Sequence, residues 1–240
     1  MINNKVRKKA KLNIPTSIVV PVYNGELTVI KQLKLCEKIL NSFSKKYEII
    51  IADDNSKDNT PSLLKKNFIN NENFKSIFNK SNIGIARNIK KLYSMAKHEY
   101  ICLYSADGDW NPYDIKKLVI HSYKNKSDIV IGKRNKSVYN PYRKLISFFY
   151  NFLPKLFFQV DTIDAGSIKV IRKKLIHSIP TISKSVFFEA ELIIKAKNKG
   201  YIVSSIPINF KKNGGKKEKG GKMKLVITSL IDLINLRLKT

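Results

Sequence analysis

The predicted fold is organised around Tyr100-Ile-Cys-Leu-Tyr-Ser-Ala-Asp-Gly-Asp-Trp-Asn-Pro112. The apolar first part of this stretch predicts a short buried strand, and its final proline predicts the start of a helix. The carboxylates of Asp107 and Asp109 lie between the two, where open α/β sheets bind ligands. Two such carboxylates on one turn can share a Mg²⁺ or Mn²⁺ ion, although taken alone they are more typical of a solvated acidic turn.

Short apolar runs and helical spacing alternate along the rest of the chain. Further strands are predicted at 17–22, 47–52, 74–78, 128–132 and 201–210, with one more at the start of 164–175. Helices are predicted at 27–40, 81–97, 113–123, 187–199 and 223–238. This alternation predicts an α/β protein with a mostly parallel central sheet and helices on both of its faces.

The composition is that of a globular protein: 43% of the 240 residues are hydrophobic and 10% are aromatic. The formal charge of +28 predicts attraction to polyanions, which include nucleic acid, an anionic membrane surface and phosphorylated substrates. Cys36 and Cys102 fall in predicted core elements, so we expect neither a disulfide framework nor a zinc site. No apolar run reaches the roughly 18 residues of a spanning helix and no signal peptide is recognised, which predicts a cytoplasmic protein.

Two segments have the composition of helices that lie on a membrane surface. Residues 141–160 are aromatic and aliphatic with scattered cations, and residues 223–238 form a predicted amphipathic helix. Each could lie in a membrane interface or pack on the core, and the sequence leaves both readings open. Between them, residues 211–222 contain four Gly and six Lys, which predicts a mobile cationic loop.

Four motifs follow the predicted strands in a fixed order. They are Pro21-Val-Tyr-Asn24, Asp53-Asp-Asn-Ser-Lys-Asp58, Ser81-Asn-Ile-Gly-Ile-Ala-Arg-Asn88 and Ser105-Ala-Asp-Gly-Asp109. In this order, the motifs resemble those of the family 2 nucleotide-sugar glycosyltransferases, and the resemblance spans roughly residues 17 to 223. It implies the nucleotide-sugar glycosyltransferase A-type fold.

Three later segments resemble one branch of that family, the dolichyl-phosphate mannosyltransferase-like polyprenyl-phosphate sugar transferases. The segments are Ile131-Gly-Lys-Arg134, Asp164-Ala-Gly-Ser-Ile-Lys-Val-Ile-Arg172 and Phe188-Glu-Ala-Glu-Leu192. A fourth, Ile206-Pro-Ile-Asn-Phe210 with the basic Gly-rich loop after it, is similar to the carboxyl-terminal end of that branch. The resemblance implies four regions, which are a basic N-terminal tail, a nucleotide-sugar-binding half, an acceptor-binding half with interfacial helices and the basic loop, and a C-terminal amphipathic helix. Their bounds are 1–15, 16–136, 137–222 and 223–240.

The resemblance also implies a binding site for a nucleotide diphosphate-sugar donor, UDP- or GDP-linked. The implied donor contacts are Pro21, Tyr23, Asn24, Glu26, Asp53, Asp54, Asn82, Gly84, Arg87, Ser105 and Lys222. Mg²⁺ or Mn²⁺ on Asp107 and Asp109 would neutralise the charge that develops on the departing diphosphate. Ser105 stands where the family usually has the first acid of its Asp-x-Asp motif, and this departure bears on metal affinity.

The acceptor implied by the branch is polyprenyl phosphate. The implied catalytic residues are Asp107, Asp109, Arg134 and Glu189. A lipid phosphate is already an anion near neutral pH, so it needs positioning more than deprotonation. Arg134 is expected to grip this phosphate with help from Lys133 and Lys169, the latter standing where the branch usually has Arg. A hydroxyl acceptor would instead need a general base, for which Glu189 or Glu191 is a candidate.

These observations favour an inverting, metal-dependent transferase that moves a hexose to a polyprenyl phosphate in cell-envelope biosynthesis. Such an enzyme would lie peripherally on the inner face of the cell membrane, attracted by anionic lipid. The first alternative is a family 2 transferase that acts on a sugar hydroxyl in a cell-surface polysaccharide. The second is a basic nucleic-acid-binding protein, but its cations form no aromatic-interleaved stripe, so we expect no nucleic-acid partner. A homo-oligomer is compatible with the sequence.

Overall fold

The computed structural model describes residues 12–135, 150, 152–210 and 223–239, in which seven strands form one sheet. The strands are β1 (Thr16–Val22), β2 (Tyr47–Asp53), β3 (Phe74–Phe78), β4 (Tyr100–Leu103), β5 (Ile129–Lys133), β6 (Lys169–Arg172) and β7 (Val203–Pro207). Their order across the sheet is β3-β2-β1-β4-β6-β5-β7.

Strand direction brings the predicted motifs to one edge of this sheet. β1 pairs in parallel with β2 and β4, β2 with β3, and β5 with β7, whereas β6 is antiparallel to both β4 and β5. The carboxyl ends of the other strands therefore meet at one edge, where β6 begins with Lys169 opposite Leu103 and Ile131. The prediction of a mostly parallel sheet is confirmed.

Helices cover both faces of the sheet, as predicted. They are α1 (Val29–Asn41), α2 (Thr60–Phe68), α3 (Ile85–Met95), α4 (Tyr113–Asn125), α5 (152–158), α6 (Lys173–Ser178), α7 (Phe188–Asn198) and α8 (Met223–Leu238). Side chains alternate along each strand, so Ile18 and Val20 pack with α1, α2 and α4, whereas Val19 packs with α3, α7 and α8 on the opposite face.

Helix α3 begins at Ile85, four residues later than the sequence predicts. The N–H groups of Ile83 and Gly84 donate to the Asp54 carboxylate at 2.9 Å and 3.0 Å, which holds this segment in a loop. Gly84 has a φ of 85°, a left-handed conformation that glycine adopts without strain. An acidic side chain from the end of β2 therefore sets where the helix starts.

The two predicted halves of the chain contribute to the same sheet, because β6 lies between β4 and β5 and β7 pairs with β5. The bounds of α8 are those predicted. None of the helices in the described residues is long and apolar enough to cross a membrane. The cationic loop with Lys222, the tail up to residue 11 and half of the segment 141–160 lie outside the described residues.

Candidate active site

The loop after β1 is bonded to the loop after β2. The Asn24 N–H donates to Ser56 Oγ at 2.8 Å, and Asn24 Oδ1 accepts the N–H of Lys57 at 2.8 Å. Asn24 has a φ of 51°, a left-handed conformation that asparagine tolerates better than most residues. Nearby, Tyr23 is exposed, and Pro21 lies near the end of β1 in the rim between these loops.

A second set of bonds ties the same loops together through acidic side chains. The Glu26 N–H donates to Asp58 Oδ2 at 3.1 Å, and Glu26 Oε2 accepts the Asn59 N–H at 2.9 Å. Thr60 donates its hydroxyl and its N–H to Asp58 Oδ1 at 2.5 Å and 3.0 Å. Burial raises the pKa of Asp58, but the hydrogen bonds from Thr60 and Glu26 outweigh it and hold that pKa below its ordinary value.

The two carboxylates at the end of β2 do different things. Asp54 uses both oxygens to bind the start of α3, through Ile83, Gly84 and the Asn79 amide. Asp53 is 1% exposed, and only its Oδ2 is bonded, to the Ser56 N–H at 3.1 Å. Its Oδ1 is buried with no hydrogen-bond partner in the described part of the chain. Asp53 therefore offers a buried acceptor at the sheet edge, whereas Asp54 is occupied by the protein itself.

The acid turn, residues 105–110, follows β4 and carries Asp107 and Asp109. Asp107 Oδ1 accepts the Asp109 N–H at 3.1 Å, which closes the turn over Gly108 with its φ of 88°. Both carboxylates and Ser105 are partly exposed. Two partly exposed carboxylates on one turn fit a hard cation that also takes diphosphate oxygens and water. No group of three or more His, Cys, Asp or Glu suited to a metal occurs among the described residues.

Arg134 lies beside the acid turn, in a bidentate pair with Asp164. The side-chain Nε and Nη2 of Arg134 donate to the Asp164 carboxylate oxygens at 2.8 Å and 2.5 Å. The backbone N–H of Arg134 also donates to Asp164 Oδ2, at 3.1 Å. The guanidinium carbon lies 5.3 Å from the Trp110 ring centroid and 5.6 Å from that of Phe210. Arg134 thus joins the acid turn to the segment before β6.

A second buried ion pair lies next to this one. Lys169 Nζ is 2.5 Å from Glu189 Oε1, and the two residues are 1% and 6% exposed. Burial raises the pKa of Glu189, and this outweighs the opposing influence of the nearby cations of Lys169 and Arg134. The charges of Arg134, Asp164, Lys169 and Glu189 therefore balance within one cluster.

The structure brings most predicted site residues to this edge but leaves some at its margin. Arg87 on α3, Asn82 before it and Lys133 at the end of β5 are exposed. The Asn82 side chain accepts the Gly84 N–H at 3.2 Å, so it serves the loop itself. Lys222 falls outside the described residues.

Several residues that shape the site were not singled out from the sequence. Asp164 was predicted only as part of a motif, and its partner Arg134 lies 30 residues away. Thr28 and Tyr104 hydrogen-bond the carbonyl groups of Ala106 and Trp110, at the two ends of the acid turn. A threonine just before a helix and a tyrosine at the end of a strand are ordinary patterns, so the sequence offers no signal for these contacts.

The comparisons with known proteins agree with this geometry. The model for the family named Glycosyl transferase family 2 matches residues 17–179, more than half of the chain. Dolichyl-phosphate beta-glucosyltransferase of Dictyostelium discoideum is 32% identical over 152 residues, which cover 59% of this chain and 46% of that protein. The chain thus spans less than half the length of this relative.

Two solved structures share the fold. Glucosyl-3-phosphoglycerate synthase from Mycobacterium tuberculosis, in complex with phosphoglyceric acid, has a TM-score of 0.71 at 11% identity, covering 92% of this chain and 79% of its own. The mannosyltransferase PcManGT from Pyrobaculum calidifontis, in complex with GDP-Man and Mn²⁺, has a TM-score of 0.64 at 16% identity, covering 95% and 65%. The predicted glycosyltransferase A-type fold is confirmed. By the extent of the family match, the chain belongs to glycosyl transferase family 2.

Proposed function

We propose that this glycosyltransferase moves a hexose, with inversion, from a UDP- or GDP-linked sugar to a polyprenyl phosphate. The observation that carries the proposal is the cluster of two ion pairs, Arg134 with Asp164 and Lys169 with Glu189, next to the acid turn. The similarity to a dolichyl-phosphate beta-glucosyltransferase supports the same acceptor class.

The donor would lie between the loops after β1, β2 and β4. Asp53 Oδ1 is a buried acceptor that suits an N–H group of the nucleotide base. Asp107 and Asp109 would hold Mg²⁺ or Mn²⁺, consistent with the Mn²⁺ in the PcManGT complex. When bound, such a cation supplies Lewis-acid stabilisation of the negative charge on the departing diphosphate. The chain itself contributes the fixed positions of the two carboxylates.

The acceptor would enter beside Arg134. A guanidinium carries a permanent positive charge, so Arg134 would attract the acceptor phosphate to this edge of the sheet. The ion pair with Asp164 fixes the side chain before the acceptor arrives, and its stacking near Trp110 places it beside the acid turn. Lys133 is exposed at the end of β5 and adds positive charge at this edge, whereas the charge of buried Lys169 is balanced by Glu189. A phosphate acceptor positioned in this way needs no deprotonation.

Membrane attachment follows from such an acceptor, because a polyprenyl chain stays in the bilayer. Exposed apolar side chains on α5 and α8 provide a surface for it: Phe152, Leu156, Phe157, Ile227, Ile231, Ile234 and Leu238. Cations near anionic lipid contribute about 1 kcal/mol each. We therefore expect peripheral attachment at the inner face of the cell membrane. Cosedimentation with phosphatidylglycerol vesicles at low salt tests this, and absence of cosedimentation contradicts it.

A hydroxyl acceptor is the second candidate, and Glu189 is the observation that favours it. Burial raises the pKa of this carboxyl, as a general base working near neutral pH requires. The glucosyl-3-phosphoglycerate synthase of the same fold was solved with phosphoglyceric acid. However, Glu189 is paired with Lys169 at 2.5 Å, and a base in that bond must first leave it. We therefore rank the phosphate acceptor first.

One assay separates the two candidates. The chain is incubated with Mn²⁺, short-chain polyprenyl phosphate and a panel of radiolabelled UDP- and GDP-sugars, and the lipid is extracted. We expect label in a lipid-linked monosaccharide. Label that passes only to an added glycan supports the hydroxyl acceptor. Absence of all transfer and of donor binding, together with salt-steep RNA binding, would instead revive the nucleic-acid alternative.

A further inference from the structure

Helix α1 has a threonine at its N-cap that does not cap the helix. An N-cap threonine ordinarily accepts a hydrogen bond from one of the first N–H groups of its own helix. Thr28 makes no such bond, and its hydroxyl donates instead to the carbonyl of Ala106 at 2.7 Å, 78 residues further along the chain. The hydroxyl therefore links α1 to the beginning of the acid turn.

The end of the acid turn is attached to the same helix. The hydroxyl of Tyr104 lies 2.7 Å from Gln32 Oε1 and 3.1 Å from the carbonyl oxygen of Trp110. Burial raises the pKa of Tyr104, so this hydroxyl stays protonated, and its single proton is shared between the two acceptors. Gln32 lies four residues after Thr28 and thus on the same face of α1. One helix face holds both ends of the turn.

The residues just before α1 also contact the first residue of α2. The Gly25 N–H donates to Thr60 Oγ1 at 2.8 Å, and the N–H groups of Thr28 and Val29 bond to the Gly25 carbonyl at 3.0 Å and 2.9 Å. A continuous set of hydrogen bonds therefore runs from Asp58 and Thr60 through Gly25 and Thr28 to the acid turn. The Thr28 hydroxyl makes the hydrogen bond that reaches the acid turn.

We propose that Thr28 and Tyr104 are positioning residues whose hydroxyls hold the acid turn in the geometry that binds the cation. Neither side chain touches the metal or the substrate in this account. They act through the backbone carbonyls that flank Asp107 and Asp109. The inference rests on the proposed function only for the identity of the ligand, since the hydrogen bonds stand by themselves.

We expect the loss of one such hydrogen bond to lower the affinity for the cation moderately. A net hydrogen bond is worth enough to change an equilibrium by about three- to tenfold. We expect Thr28→Val and Tyr104→Phe each to weaken Mn²⁺ binding in the presence of UDP by about this factor. Thr28→Ser keeps the hydroxyl and should bind Mn²⁺ like the unaltered chain. Tyr123→Phe is the matched control, because Tyr123 is exposed near the far end of α4.

The chain offers a direct probe of the turn, because Trp110 is its only tryptophan. Trp110 is 8% exposed and packs against Phe210 with ring centroids 5.0 Å apart. We expect Thr28→Val and Tyr104→Phe to raise acrylamide quenching of Trp110 fluorescence, while Thr28→Ser and Tyr123→Phe leave it unchanged. Thermal midpoints are measured in parallel to show that each variant is folded.

The two readouts separate this inference from the proposed function. Unchanged quenching and unchanged Mn²⁺ affinity in both Thr28→Val and Tyr104→Phe would overturn the positioning role. If the unaltered chain binds no Mn²⁺, the proposed metal site fails, and Trp110 quenching alone still decides whether the hydroxyls hold the turn. Equal loss in Thr28→Ser and Thr28→Val would also contradict the inference, because only the latter lacks the hydroxyl.

Discussion

The two sides of the site are held together by different interactions. On the donor side, Asp54 and Asp58 accept hydrogen bonds from backbone N–H groups of neighbouring loops. On the acceptor side, Arg134 with Asp164 and Lys169 with Glu189 form buried ion pairs. The first arrangement fixes the loops after β1 and β2 relative to each other and to the start of α3. The second places balanced cations where the proposed phosphate acceptor would enter.

This difference predicts different responses to mutation. A carboxylate that binds backbone N–H groups on a partly exposed loop contributes a modest, local stabilisation. A buried ion pair is costly to break, because removing one partner leaves an uncompensated charge, whereas removing both can be nearly neutral. Single and paired substitutions on the two sides therefore test whether the loss of an ion pair costs more stability than the loss of a loop hydrogen bond.

The largest effect on stability is expected for Lys169→Met. This change leaves the Glu189 carboxylate buried without its partner and should lower the free energy of unfolding by about 3–5 kcal/mol at neutral pH. The loss should shrink as the pH falls, because the pKa of Glu189 is already raised by burial and protonation removes its charge. Urea unfolding as a function of pH measures both.

Two further variants control this measurement. Lys169→Met/Glu189→Leu removes both charges and should recover most of the lost stability. Lys75→Met, at an exposed position on β3, should have little effect. If the double variant is as unstable as Lys169→Met, the loss reflects packing and not an unpaired charge. The proposed difference between ion pairs on one side and loop hydrogen bonds on the other would then be contradicted.

Asp164→Asn should affect the acceptor more than the donor. The change removes the charge that holds Arg134 Nε and Nη2. We expect the KM for short-chain polyprenyl phosphate to rise about tenfold, since hydrogen bonds to charged groups are worth about 1.5–3 kcal/mol. The KM for the nucleotide-sugar should stay within error. Asp161→Asn, three residues earlier and exposed, is the control, and an equal rise in both KM values would contradict the prediction.

The smallest effect is expected for Asp58→Asn on the donor side. Hydrogen bonds from Thr60 and Glu26 hold the pKa of Asp58 below its ordinary value of 3.8 despite burial. Its stabilisation is therefore present above that value and is lost as the pH falls through the lower folded-state pKa. We expect Asp58→Asn to lower stability by about 1 kcal/mol at pH 7 and by less near pH 3. Exposed Glu72→Gln is the control, and a difference that does not depend on pH would contradict the prediction.

The donor side was largely predictable from the sequence, because its residues occur in short contiguous motifs at strand ends. The parallel strands then bring Asp53, Asp54 and the acid turn together without further information. Apolar spacing also predicted the limits of α8, whereas it gave no helix at α2, Thr60–Phe68. The delayed start of α3 did not, because it depends on Asp54 reaching across from β2.

The acceptor side was less predictable for a physical reason. The partners of its ion pairs are 30 and 20 residues apart, and they meet only because β6 runs antiparallel between β4 and β5. No local sequence pattern indicates that β6 runs antiparallel to its neighbours. The same holds for Thr28, which falls inside the predicted helix 27–40 and whose hydroxyl bonds a distant carbonyl in the structure.

Asp107 is the residue on which the proposed site depends most directly, and one measurement tests its role. Transfer of radiolabelled sugar to polyprenyl phosphate is compared between the unaltered chain and Asp107→Ala at saturating Mn²⁺, with Asp161→Ala as the control. We predict that Asp107→Ala lowers turnover by at least about a hundredfold while its thermal midpoint and circular dichroism stay unchanged. Undiminished turnover by folded Asp107→Ala would contradict the proposed site.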